Sequence, residues 1–460
     1  MSQKIGLRER IGYGFGDAAS SMFWKLFSMY LLFFYTDIFG IPAAIIGTMF
    51  LITRIWDSAI DPVVGLIADR TSSRWGRFRP YILFTAIPFG IFGVLTFSSP
   101  ELSASGKIIY AYITYTMMMM VYSLINVPYA SLLGVMSDDP KQRTILSSYR
   151  MIFAFAGSIL ALVSIEPLVN FFSSSGTNLQ RGWQLAVGVI AVAAVIFFLL
   201  NFLWTKERVK PIKEGTNLLK DDIKDLLRNK PWWILLGAGV AALIFNSIRD
   251  GAAVYYFKYY ATSQSQLSNS LSLSITTLYL VLGQAANIVG ILLIVFVANK
   301  IGKKRAYLSS MVIAMVLSIL FYYVGKDNIV MVLILQVLIS MCAGSIFPLL
   351  WSMYADIADH SEVKTGRRAT GLIFSSGSMS QKLGWTLGGA LTGWLLGYYG
   401  FQANVEQSEF VQTGIRMMLS YLPAVGAALS VLFISLYPIG EKQLKETASQ
   451  LKQLREAKNG

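Results

Sequence analysis

The chain has 460 residues, of which 55% are hydrophobic and only 14% are charged. Soluble globular proteins carry about a quarter charged residues, so this composition excludes a disordered chain and argues against a water-soluble enzyme. The single cysteine, Cys342, excludes a disulfide framework and cysteine-ligated zinc, and the single histidine, His360, argues against histidine-ligated metals and a Ser-His-Asp triad.

Long apolar stretches follow one another along the chain, and a helix needs about 20 such residues to cross a membrane. The first stretch contains Asp17 and Lys25 and has no small-residue cleavage site, which predicts a retained span and not a signal peptide. Helices are predicted because lipid offers no partner for open backbone groups. The predicted spans are 11–36, 42–68, 80–99, 107–134, 145–171, 183–205, 231–261, 270–298, 306–325, 328–356, 369–400 and 413–438.

The formal net charge is +14, and the basic residues lie in short segments between the apolar runs. This pattern is typical of cytoplasmic loops in a membrane protein, whereas a nucleic-acid partner would require a basic face on a soluble domain. Only Lys107, Arg181 and Lys326 fall in outer loops if both termini are cytoplasmic. The pattern therefore predicts a multi-pass protein of the plasma (inner) membrane with both termini in the cytoplasm.

The longest polar stretch, residues 205–230, divides the twelve predicted spans six to six. Short basic turns at 69–79 and 299–305 occupy matching places in the two halves, as two repeated six-helix bundles would show. We therefore predict an N-terminal bundle over 1–205, a cytoplasmic central loop over 206–230, a C-terminal bundle over 231–438 and a cytoplasmic tail over 439–460.

Acidic side chains inside the predicted spans are costly and are functional by default. Asp57 and Asp61 are four residues apart on one helix, so they share a face. Two carboxylates this close share a proton, bind a metal cation or face a basic residue. Candidate basic partners are Arg150 and Lys382, while an Arg54–Asp57 ion pair of purely structural role is the alternative interpretation.

The segment 54–62 and the following turn at 73–80 resemble the second helix and loop of the melibiose permease family. These proteins are the glycoside–pentoside–hexuronide:cation symporters of the major facilitator superfamily. The resemblance covers nearly the whole chain and implies the superfamily's all-α fold of two six-helix bundles. Further matching motifs lie at 13–17, 35–37, 126–129 and 355–359.

The resemblance implies a symporter that couples uptake of a sugar or glycoside to proton or sodium entry by alternating access, with no enzymatic activity and no bound cofactor. Its cation site would include Asp57, Asp61, Ser123 and Lys382, and the two acids would hold the metal if the ion is sodium. Its substrate site would include Asp17, Asn126 and Arg150. An aromatic such as Phe347 or Trp351 would stack on a sugar ring.

Two positions depart from the family pattern. Ile60 replaces an asparagine that serves sodium, which favours a proton because sodium needs several oxygen ligands. Ala130 replaces a bulkier aromatic, so the sugar itself is not carried over. Alternatives are a cation-coupled carrier for a lysolipid or other amphiphile and, less favoured, a polytopic membrane enzyme. Lys25, Arg249 and Lys258 are further basic residues in the spans whose side chains would suit a uronide if they faced the cavity.

Overall fold

A computed structural model describes residues 5–137, 140–174, 178–208, 226–261, 274–365 and 370–440, together with 443, 446, 447, 449 and 450. Within these ranges the regular structure is helical. The first helix, α1 (Leu7–Leu26), continues without a break into two π-helical stretches, Phe27–Leu31 and Phe34–Ile38. The helix therefore carries the chain from residue 7 almost to the turn at Gly40, whose φ is 80°.

The later helices occupy the remaining predicted spans in order. They are α2 (Ala43–Arg70), α3 (Arg79–Thr96), α4 (Ala104–Met136), α5 (Pro140–Ser174), α6 (Leu179–Trp204), α7 (Lys230–Tyr259), α8 (Ile275–Ile301), α9 (Lys303–Tyr322), α10 (Ile329–Thr365), α11 (Thr370–Tyr399), α12 (Glu409–Leu419) and α13 (Tyr421–Ser435).

Nine spans in the described part of the chain are long and apolar enough to cross a membrane, and the last of them joins α12 and α13. Helices also occupy the first, second and eleventh predicted spans. The predicted spans for α5 and α10 are shorter than the helices, since both helices extend beyond the apolar stretch into polar sequence. A helix keeps its backbone hydrogen bonds outside lipid, so hydropathy alone does not mark where it ends.

The helices pack in two groups that follow the order of the chain. In the first half α1 packs against α5 and α6, while α3 packs against α4 and α6. In the second half α7 packs against α11 and α13, and α10 packs against α8 and α9. The halves meet mainly where α2 contacts α11, with a smaller contact between α5 and α8. The predicted boundaries at 206–230 and 439–460 stay predictions, because 209–225 and most of the tail lie outside the described residues.

Two faces of the bundle are distinguished by their loops. The basic face carries the turn at 71–78, residues 205–208 and Gly302, and the opposite face carries 39–42, 97–103 and 401–408. On the basic face the Glu207 carboxylate accepts hydrogen bonds from three successive backbone N–H groups, at 2.8, 2.8 and 3.0 Å, at the start of α3. A negative charge at this position satisfies open N–H groups and complements the helix dipole.

Close backbone contact joins the halves near the opposite face. A Cβ at Gly393 of α11 would lie 2.7 Å from the carbonyl oxygen of Ala43 and 2.8 Å from Gly47 Cα, both at the start of α2. Only glycine permits this approach, as in other membrane helix pairs built from small residues. Since α2 runs from the opposite face towards the basic face and α11 runs back, the contact lies on the opposite-face side of Asp61 and Lys382.

Candidate functional site

Two carboxylates of α2 face a lysine of α11 across the boundary between the halves. Asp57, whose side chain is 1% exposed, lies 3.5 Å from Lys382 Nζ and 3.7 Å from Arg54 Nη1. Ser123 Oγ of α4 donates to its Oδ1 at 2.5 Å. Asp61 forms a direct ion pair with the same ammonium group. The structure thus brings together all four residues predicted for the cation site, and the Arg54–Asp57 pair coexists with them.

This cluster leaves carboxylate oxygens available to a small cation. Asp57 Oδ2 and Asp61 Oδ1 are buried and accept no hydrogen bond from the described residues. A buried carboxylate without full hydrogen bonding is costly unless a positive charge offsets it. Lys382 supplies that charge in this state, and a proton or a metal cation would supply it in another.

Three residues predicted for the sugar site lie in the first half, and two of them, Asp17 and Arg150, form an ion pair. Arg150 of α5 donates to both carboxylate oxygens of Asp17 of α1, with its Nη2 at 3.3 Å. On α4, the Asn126 side chain donates to the carbonyl of Tyr122 and accepts from Ser20 Oγ at 2.7 Å. Charged and amide groups in this arrangement can donate to and accept from sugar hydroxyls.

The two predicted stacking residues lie on α10, in the second half of the chain. The ring of Trp351 lies 6.4 Å from that of Tyr354, and Phe347 packs against the hydrophobic core. Neither contact links them to the Asp17–Arg150 pair. Their stacking role stays a prediction.

The structure adds an aromatic pair that the sequence analysis missed. Trp24 of α1 and Trp385 of α11 meet across the halves with ring centroids 6.3 Å apart and nearly perpendicular planes. Arg54 lies over Trp24, 4.4 Å from the ring centroid. Helical spacing was the available signal, because Trp24 follows Asp17 by seven residues and Trp385 follows Lys382 by three.

Three basic residues left unassigned in the sequence have separate surroundings. Lys25 reaches Asp250 of α7 at 3.3 Å, so it forms a second ion pair between the halves. Arg249 is buried inside the second half, where its Nη2 donates to Tyr279 and Gln336 at 3.0 and 2.8 Å. Lys258 lies at the opposite face.

A polar cluster on the opposite face also links the halves, and we call it the Asp37 latch. The fully buried carboxylate of Asp37, after α1, accepts from Lys258 Nζ at 2.7 Å and from the Tyr259 hydroxyl, both on α7. Thr36 Oγ1 donates to the other oxygen at 2.6 Å. Asn404 joins both sides, since it donates to the Asp37 carbonyl and accepts from Lys258.

The latch and the α2–α11 contact close the molecule on the opposite face. Beyond that closure, the side chains of Asp61, Lys382 and Arg150 keep 24%, 27% and 31% of their surface exposed. These residues lie many positions from the ends of their helices, where lipid offers no hydrogen-bond partner for a charged group. Solvent therefore reaches the charged site from the basic face.

Comparison with known proteins gives matches over nearly the whole chain. A family model described as MFS/sugar transport protein matches residues 12–441. The inner membrane symporter YicJ of Escherichia coli (strain K12) is 36% identical over 98% of this chain and 96% of its own length. The isoprimeverose transporter of Lactiplantibacillus pentosus is 34% identical over 96% of this chain and 90% of its own.

Solved structures share the fold at low sequence identity. The nucleoside transporter NupG has a TM-score of 0.63 and 15% identity, over 94% of this chain and 100% of the other. A bacterial homologue of the human lysosomal transporter Spinster has a TM-score of 0.68 and 15% identity, over 94% and 95%. These similarities concern the course of the helices and not the residues of the site.

Proposed function

Because this chain belongs to the MFS/sugar transport protein family, we propose that it couples uptake of a sugar or glycoside to entry of a cation by alternating access. Membership confirms the sequence-based resemblance, the all-α superfamily fold and a transport function in place of an enzymatic one. The protein is a multi-pass membrane transporter. For the bacterial inner membrane and for cytoplasmic termini, the support is the basic face and the named location of YicJ.

The observation that carries the proposal is the ion pair between Lys382 of the second half and the two carboxylates of the first. In the empty carrier the ammonium group balances Asp57 and Asp61. A bound cation replaces part of that attraction and releases α11 from α2. A carrier with an unbalanced buried charge would pay a large desolvation cost, so the states that interconvert readily are the balanced ones.

Sugar binding is assigned to the Asp17–Arg150 pair and to Asn126, which is hydrogen-bonded to Ser20 of α1. The guanidinium group is a planar donor that matches neighbouring hydroxyls, and the carboxylate and amide oxygens accept from them. When sugar bridges these groups to the second half, the halves can close around it. The chemistry is binding and release only, with no covalent step.

For the coupling ion we favour a proton over sodium. Asp57, Asp61 and Ser123 offer oxygen atoms, but Ile60 adds none at the position where the family has an asparagine. A proton needs one carboxylate, whereas a hard metal cation needs several oxygens in its first coordination shell. If the ion is sodium, Asp57 and Asp61 are its proposed ligands.

The test is uptake into proteoliposomes under an inward pH gradient, with and without sodium. Isoprimeverose is the first probe, since a relative is named for its transport. Asp57→Cys and Asp61→Cys should abolish accumulation against a gradient, while Asp61→Cys retains some sugar binding. The matched control is Asp327→Cys, which alters an exposed acid in a loop. Accumulation by either site variant at the wild-type level contradicts the assignment, and an absolute sodium requirement contradicts the proton.

A further inference from the structure

A cavity of about 40 Å³ lies between the halves, on the opposite-face side of Asp57. The first half contributes Trp24, Ser28 and Arg54 to its walls, and the second half contributes Trp385 and Gly389. At 10–15 Å³ for each water, a space of this size holds roughly three water molecules in the present state. Arg54 links its wall to the charged site, since its Nη1 lies 3.7 Å from Asp57.

Aromatic rings form much of the cavity wall. Trp24 and Trp385 stand edge to face, and Phe50 and Tyr115 form another pair, with centroids 5.3 Å apart. Ser28 belongs to the first π-helical stretch, Phe27–Leu31, a deviation that is frequent at functional sites. Apolar ring faces with a few convergent polar groups are characteristic of small-molecule sites.

Four hydroxyl groups in the cavity wall favour a ligand that donates hydrogen bonds. Each donates its own proton to a backbone carbonyl oxygen, at distances between 2.6 and 3.3 Å. A hydroxyl that has used its proton offers only its lone pairs, so these groups accept and do not donate. The four residues lining the cavity in this way are Ser28, Ser247, Thr386 and Thr392.

Arg54 also lies in the wall, but its guanidinium group does not make the cavity favourable for an anionic ligand. Arg54 lies 3.7 Å from the Asp57 carboxylate and 4.4 Å from the Trp24 centroid, so its charge is already opposed. A carboxylate or sulfonate would meet acceptor oxygens around it and lose hydration without compensation. An uncharged sugar ring fits this cavity, because its C–H faces can pack on the aromatic rings and its hydroxyl groups can donate to the acceptor oxygens.

We propose that this cavity is a second sugar subsite, which receives an uncharged glycosyl ring when the halves separate on the opposite face. The first ring is held at Asp17 and Arg150, and the second lies in the cavity beside the Trp24–Trp385 pair. The preferred substrates are then neutral glycosides of two rings, and not free monosaccharides or hexuronides. The inference rests on the proposed function and specifies its substrate class.

Gly389 provides a direct way to fill the subsite. A Cβ there would meet only Phe50 Cδ2, at 3.5 Å, which is ordinary contact, so Gly389→Val enters the cavity without a backbone clash. Gly188 on α6 has no atom within 4 Å of its Cβ position and lies outside the cavity, so Gly188→Val is the matched control. Thr386→Val removes one acceptor at nearly constant shape.

The experiment measures binding to the purified full-length protein for D-xylose, D-glucose, methyl β-D-glucuronide and a set of neutral disaccharides that includes isoprimeverose and melibiose. The wild type should bind its best disaccharide at least about tenfold more tightly than either monosaccharide or the glucuronide. Gly389→Val should reduce that preference to under about threefold and leave monosaccharide binding unchanged, while Gly188→Val retains it. Thr386→Val should weaken disaccharide binding alone, by about two- to tenfold, the range for one lost hydrogen bond.

The subsite is overturned if disaccharides and monosaccharides bind equally or if the glucuronide binds more tightly. It is overturned as well if Gly389→Val and Thr386→Val weaken monosaccharide and disaccharide binding equally. Absence of binding by every neutral disaccharide also overturns it. Failure of the proposed function has a different signature, because disaccharides would then bind with the predicted preference while no proton or sodium gradient drives their uptake.

Discussion

Replacement of Asp37 by asparagine tests how the opposite face is held closed. Asn at this position keeps the size of the side chain but removes the charge that Lys258 pairs with at 2.7 Å. Lys258 keeps its bond to Asn404 Oδ1 at 2.8 Å, so it is not left without an acceptor. The loss is therefore that of one hydrogen bond between charged groups and not of the whole latch.

The magnitude follows from the exposure of the two partners. Hydrogen bonds to charged groups contribute about 1.5–3 kcal/mol, and screening lowers the value for Lys258, whose side chain is 33% exposed. We therefore expect Asp37→Asn to destabilise the closed state by about 2 kcal/mol. Since 1.4 kcal/mol corresponds to a factor of ten, the equilibrium shifts roughly 30-fold towards states open on the opposite face.

The assay uses the fact that the chain has a single cysteine. In a Cys342→Ser background, Ser28→Cys places a thiol in the cavity behind the latch, and an impermeant maleimide is added to intact cells. Asp37→Asn should raise the labelling rate by up to about 30-fold, whereas Glu101→Gln, an exposed acid on the same face, should leave it unchanged. A labelling rate that Asp37→Asn does not alter would refute the reasoning about the latch.

Three further predictions concern the charged site and the basic face. Lys382→Met removes the ammonium group between the halves and should reduce cation-driven uptake at least about tenfold, while sugar binding measured by calorimetry changes less than about threefold. Arg150→Lys replaces a two-pronged donor by a point charge and should weaken sugar binding about tenfold in the same calorimetry; unchanged affinity would remove Arg150 from the site. Glu207→Gln should lower the free energy of unfolding by about 1–2 kcal/mol in thermal unfolding of the purified protein, with transport per folded molecule retained, and a loss of transport without loss of stability would contradict a structural role.

The sequence predicts most of what depends on local periodicity. The places of the spans follow from hydropathy, and the shared face of Asp57 and Asp61 follows from their spacing by four on one helix. Lys382, more than 300 residues away, was one of two candidate basic partners in the spans, and the resemblance placed it at the cation site. The structure brings these residues together through the α2–α11 contact, where Gly393 and its partners in α2 allow the helices to touch.

What the sequence does not predict depends on how each helix is rotated and on which helices meet. Lys25 lies between apolar residues on both sides in sequence, so its partner Asp250 becomes evident only when α1 packs beside α7. The π-helical stretch at Phe27–Leu31 widens one turn without any proline or glycine to signal it. Glu207 appears as an ordinary loop acid until the turn before α3 folds around it.

The central claim is that the Asp57, Asp61 and Lys382 cluster exchanges a small cation for the ammonium group and thereby drives sugar movement. The most direct measurement is the number of cations that enter with each sugar molecule, from simultaneous flux of labelled sugar and of protons or sodium into proteoliposomes. The account predicts a fixed ratio in the wild type and, for Asp57→Asn, loss of the cation flux together with loss of sugar accumulation. Undiminished coupled entry of cation and sugar in that variant would contradict it.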